Sequence, residues 1–140
     1  MTDTTADTRS VVVERDVPHP RDKVWRALTQ PELIAEWLMK NDFEAVVGRR
    51  FHLRSEPMPQ WDGVIACEVL AVQAPERLAY SWAALGVETV VTLTLTATDG
   101  GTHVRMEQSG FLPSQAFNIR GAEYGWRGFL AKLAEAAGKA

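Results

Sequence analysis

The chain of 140 residues has a single cysteine, so no disulfide within it can brace the fold. It also lacks any apolar run approaching the roughly 20 residues that span a bilayer, which argues against a membrane helix and a membrane partner. An excess of basic residues is missing too: 15 Lys and Arg against 18 Asp and Glu leave a net charge of −3. Phosphate backbones need a positive surface, so nucleic acid is excluded as the main partner. Three histidines, His19, His52 and His103, stand at no metal-ligand spacing and read as surface or capping residues. There is no Gly-x-Ser-x-Gly, no phosphate loop and no Glu-x-x-His pair, so the sequence predicts no catalytic residue, no metal site, no cofactor and no enzyme. The opening MTDTTADTRS is polar and lacks the basic and apolar regions of a secretion signal, which predicts a frayed tail over residues 1–10 of a cytoplasmic protein.

What is present is an ordinary globular composition, 46% hydrophobic and 24% charged, without repeats or linkers, and residues 11–140 read as one domain. VVVERDV (11–17) reads as a strand bounded by Pro18 and Pro20, with Val11, Val13, Arg15 and Val17 on one face. A short helix follows from about Pro20, with Val24 and Leu28 one turn apart. Thr29 and Glu32 have the spacing of a capping box with Pro31 in the first turn, which predicts a second helix. Its pairs Leu33 with Trp37 and Ile34 with Leu38 give one buried face ending in an indole.

From about Phe43 to Ser109 the period changes to two, predicting a meander of antiparallel strands. Val91, Leu93, Leu95 and Ala97 alternate with threonines, and Asp99-Gly100-Gly101 is expected to supply the positive φ of a hairpin. The return strand puts Val104, Met106 and Gln108 on one face and His103 on the outer one; Leu78, Tyr80 and Trp82 share another face. Cys67, between Ile65 and Val69, reads as a small buried hydrophobe. Covering these faces falls to the C-terminal segment, where Trp126, Phe129, Leu130, Leu133 and Ala137 recur at helical spacing. The order gives an α+β fold, an antiparallel sheet curled round its last helix. Glycines 121, 125 and 128 form a second stripe on that helix, each costing about 1 kcal/mol relative to alanine. Either strand backbone packs closely there, the commoner use, or the stripe leaves room for a ligand.

LTQPELIAEW, GVIACEVLAVQAPERLAYSW and GWRGFLAKL, in that order, resemble the three signature blocks of bacterial proteins homologous to the C-terminal domain of the heat-shock-protein-ninety ATPase activator. That family lies in the START-like, birch-pollen-allergen-like superfamily (SRPBCC). The resemblance implies a helix-grip fold: a curved antiparallel sheet of about six or seven strands wrapped around a long C-terminal helix, with two short helices after the first strand. It also implies a pocket that in many relatives takes apolar small molecules. The family's usual Thr-Asp-Pro-Glu stands here as Thr29-Gln30-Pro31-Glu32, and where many members carry a histidine this chain has Gln108, so no role of that histidine transfers.

The leading expectation is therefore a protein that binds an apolar or amphipathic ligand between sheet and last helix, with aromatic walls from Tyr80, Trp82 and Trp126. Further lining candidates are Phe51, Ile65, Leu93, Met106 and Gln108 from the strands, and Phe117, Tyr124 and Phe129 towards the C-terminus. Trp37 either closes one end of the sandwich or lines the pocket mouth, and the two roles are compatible. Arg15 is the polar candidate: on an inward face it must meet Glu107, Glu123 or a ligand's polar end, or else snorkel off the sheet edge. Met58 and Trp61, in the loop SEPMPQWDG, suggest a flap over the entrance, a contact with another protein, or packing onto the sheet rim. Two other classes stay open: a protein-interaction module of the chaperone-activator type, and a polyketide cyclase- or hydratase-like enzyme. A homodimer is also compatible with the sequence.

Overall fold

Strands that alternate apolar and polar residues can bury one face and wet the other, and the computed structural model, which describes residues 8–140, carries this alternation from strand to strand. In chain order the elements are β1 (Arg9–Val17), α1 (Arg21–Thr29), α2 (Pro31–Trp37), β2 (Lys40–Asn41), β3 (Arg50–Arg54), β4 (Val64–Gln73), β5 (Arg77–Ala84), β6 (Val87–Thr98), β7 (Gly101–Phe111) and, after a 3-10 turn, α3 (Ala116–Ala137). Among the described residues the seven strands form one antiparallel sheet in the order β1-β7-β6-β5-β4-β3-β2. α3 packs against β1, β7, α1 and α2. The result is the α+β, helix-grip arrangement that the sequence implied.

The inner face carries Val91, Leu93 and Leu95 of β6, Val104 and Met106 of β7, Leu78 and Tyr80 of β5, and Phe51 and Leu53 of β3, all in one core with Trp37 and Leu130. Ile65, Cys67 and Val69 of β4 join them, so Cys67 is the buried apolar residue expected. The Phe51 ring meets Tyr80 edge to face at 5.3 Å, a favoured geometry for aromatic pairs.

Three local expectations need correction. β1 begins at Arg9, so Arg9 and Ser10 pair with β7 and do not belong to a tail; residues 1–7 lie outside the described residues. The capping box does not form: the Thr29 hydroxyl donates back to the Trp25 carbonyl at 2.8 Å, closing α1, and Gln30 caps α2 without a side-chain bond. The β6–β7 hairpin does take its positive φ from the expected turn, at Gly101 with +155°, where a Cβ would lie 2.1 Å from the Val17 carbonyl oxygen. Arg15 is exposed because β1 is the edge of the sheet and its long side chain leaves by the open side. Glu107, its expected partner, is held instead by Arg105 at 2.9 Å.

Candidate functional site

The last helix is buried unevenly. All of its buried residues, Trp126, Leu130, Leu133, Ala136 and Ala137, lie from Trp126 onward, so this stretch anchors α3 to the sheet and to α1 and α2. Two glycines of the stripe, Gly121 and Gly125, precede Trp126, and Gly128 follows it. A Cβ built on Gly121 or Gly128 would meet nothing within 4 Å, and one on Gly125 would meet only the Phe129 ring at 3.9 Å. Close backbone packing, the commoner use of helical glycine, is therefore absent, and Gly121 and Gly125 instead border a cavity of about 370 Å³. Its other walls are Met39, Trp61, Ile65, Trp82, Ala84, Leu85, Val87, Gln108, Phe111, Phe117, Asn118, Ala122, Trp126 and Phe129. No side chain in this lining is charged.

A buried polar chain crosses the inner wall. The Trp126 indole N–H donates to Gln108 Oε1 at 2.9 Å, Gln108 Nε2 donates to Thr89 Oγ1 at 2.9 Å, and the Thr89 hydroxyl donates to the Trp82 carbonyl at 3.2 Å. Each link is what its donor inventory dictates, because an indole nitrogen can only donate and so selects the amide oxygen. Gln108 is 3% exposed and Thr89 5%, so the chain satisfies groups that would be costly to leave bare. Trp126 is also the hub of an aromatic cluster, with ring centres 5.6 Å from Trp82, 5.4 Å from Phe129 and 6.3 Å from Trp37.

At the mouth, Leu85 and Gly86 form a two-residue turn between β5 and β6 with φ of +54° and +77°, the positive pair of a tight hairpin. This backbone holds a large apolar side chain, 64% exposed, over the opening. Trp61 folds onto the rim, its indole N–H donating to the Val64 carbonyl at 3.2 Å. Met58 bridges to Trp61 through the backbone, but its side chain is exposed and outside the lining.

Of the residues singled out in the sequence, the cavity brings together Trp61, Ile65, Trp82, Gln108, Phe117, Trp126 and Phe129. Phe51, Tyr80, Leu93 and Met106 sit in the core and do not reach it, because their inward faces are covered by other side chains. Trp37 stands behind Trp126, fully buried, and donates its indole N–H to the Ala27 carbonyl at 2.8 Å; its role is structural. Tyr124 is exposed to solvent and outside the lining, and Arg15 is at the sheet edge. Sequence reasoning missed Thr89 behind the wall and, in the lining itself, Met39, Ala84, Leu85, Val87, Phe111, Asn118 and Ala122. Thr89 was legible, since it continues the inward period of Val91 and Leu93 two residues upstream. The others depend on how distant segments meet.

Titratable groups lie elsewhere. Burial pushes the Cys67 thiol up to about 12, with the charge of Asp42 adding to the rise, and burial also drives Tyr80 far above its usual range. His103, on the outer face as expected, bridges Glu14 at 2.9 Å and Asp16 at 2.7 Å. His52 meets Asp42 at 3.4 Å, and the half-buried His19 accepts the Thr102 hydroxyl on its carbonyl at 2.7 Å. Among the described residues no helix is long and apolar enough to cross a membrane.

Against known proteins, the profile of the family described as Activator of Hsp90 ATPase homolog 1-like protein matches residues 18–138. Among solved structures, protein MLL2253 from Mesorhizobium loti is 50% identical with a TM-score of 0.87, covering 94% of this chain and 98% of that one. Protein BH1534 from Bacillus halodurans is 26% identical over 92% of this chain and 96% of its own, with a TM-score of 0.77. DynU16, a protein in the dynemicin biosynthetic locus, is 28% identical with a TM-score of 0.76; the match takes in 90% of this chain but 46% of that one. A comparison with curated proteins finds no match.

Proposed function

The chain belongs to the Activator of Hsp90 ATPase homolog 1-like family, and from that premise we propose that it is a binding protein for an apolar or amphipathic small molecule held between the sheet and α3. The observation that carries this reading is the uneven helix: α3 is anchored from Trp126 onward and keeps Gly121 and Gly125, at the expense of helix stability, where the cavity needs space. A cavity of about 370 Å³ walled by aromatic and aliphatic side chains with a few fixed polar groups has the make-up of a small-molecule site. The polar side chains of its wall are the Gln108 and Asn118 amides and the indoles of Trp61, Trp82 and Trp126, none of which trades protons near neutral pH, and this favours holding a ligand over transforming it.

The neutral probe N-phenyl-1-naphthylamine tests the reading. Its fluorescence is expected to rise and saturate with wild-type protein, and to lose at least about tenfold in affinity when Gly125→Leu puts an isobutyl group into the cavity. A dye signal that is absent, or the same in the variant, overturns it.

A further inference from the structure

We infer that the cavity is built for an uncharged ligand that presents a hydrogen-bond acceptor and a donor on two atoms bonded to one carbon, such as a carboxamide or a lactam, and that the Gln108 amide reads this pair. The inference rests on the reading of the cavity as a ligand site and states what the site selects.

The orientation of the amide is fixed from both sides. Trp126 can only donate, so Oε1 must face it; Thr89 gives its hydrogen to the Trp82 carbonyl and so receives Nε2. A primary amide carries two N–H donors and two oxygen lone pairs, and these contacts use one of each. One donor and one acceptor remain on Gln108, a residue sealed from bulk water at 3% exposure but part of the cavity wall. The cavity is where a ligand could reach them, and because both belong to one amide, a ligand that meets both must carry the complementary pair side by side. Being held by Trp126 and Thr89, the amide loses little further freedom on binding, which favours specific recognition.

The charge requirement follows from the walls. With no ionised side chain in the lining, a carboxylate or ammonium seated against Trp82, Trp126 and Phe129 would have no counter-ion, and an unpaired buried charge is strongly disfavoured. The flat indole and phenyl walls admit about two or three fused rings in the available volume.

Three naphthalene probes, followed by tryptophan fluorescence or calorimetry at neutral pH, separate the parts of this inference. Wild-type protein is expected to bind 2-naphthamide at least about tenfold more tightly than the ionised 2-naphthoate. The ratio of affinities for 2-naphthamide and 2-methylnaphthalene is expected to fall about tenfold in Gln108→Met, which keeps the side-chain length and removes both amide functions. The first comparison needs no variant and stands even where Gln108→Met fails to fold. Equal binding of 2-naphthoate overturns the charge selection, and an unchanged ratio overturns recognition by the amide. If the cavity still binds N-phenyl-1-naphthylamine in either case, the binding function survives and only its selectivity is refuted. If neither that dye nor any of the three probes binds, both fall together.

Discussion

Pro31 has no N–H, so the carbonyl of Ala27, four residues earlier, is denied the partner that a continuing helix would supply. The Trp37 indole fills that place from a turn beyond, at 2.8 Å, and thereby locks α1 to α2 behind the cavity wall. Trp37→Phe keeps a ring but loses the donor and part of the packing, and is expected to cost about 2–4 kcal/mol in urea denaturation. A loss below about 0.5 kcal/mol would show that the carbonyl has another partner within reach. On the opposite face, His103 lies between two carboxylates, and its pKa is raised above the ordinary 6.5, first by the hydrogen bond to Glu14 and then by that to Asp16. A raised folded-state pKa means that the fold favours the imidazolium, so this contribution to stability is complete below the unfolded-state value and is lost as pH rises through the folded one. Its ring resonances in NMR should titrate above 6.5 and move back down in Glu14→Gln; a titration unaffected by that change would refute the ion pair.

Among the elements, α3 reads most plainly in sequence and yet conceals most of the site. The spacing of Trp126, Leu130, Leu133 and Ala137 is enough to give an amphipathic helix and its buried stripe. The same spacing says nothing about whether the glycines meet a neighbour, since that depends on the distance between helix and sheet. Open space at Gly121 and Gly128 leads to a direct expectation: alanine at either position stabilises the protein by about 0.5–1 kcal/mol, the helix preference unopposed by any clash. Chemical denaturation of the two variants checks this, and destabilisation would mean that the backbone approaches something there after all. β6 offers a similar lesson. Its alternation was legible, but Thr89 on the inward side becomes a polar link only because β7 places Gln108 within 2.9 Å of it.

For the molecule as a whole, local pattern carried the element order, the sheet, the covering helix and the buried cysteine, because amphipathic period and turn chemistry are properties of short stretches. Of the seven candidate residues that converge on the cavity, Ile65, Trp82 and Gln108 were found on inward strand faces, Trp126 and Phe129 on the helical stripe, and Trp61 as a large apolar residue in a loop. Which inward residues border space and which border each other is decided by three segments, β6, β7 and α3, meeting at Trp126, and no stretch of sequence contains that junction. Arg15 is a further case: its face was read correctly, and its environment depended on β1 being outermost. That outermost position has a consequence for how the chain comes together in time. β1 pairs with β7 alone, Arg9 opposite Phe111 and Val17 opposite Thr102, so the strand synthesised first finds its partner only after the rest of the sheet has left the ribosome. Contacts so distant in sequence form late, and until β7 arrives the apolar stripe of Val11, Val13 and Val17 lacks the strand partner that holds it in the sheet.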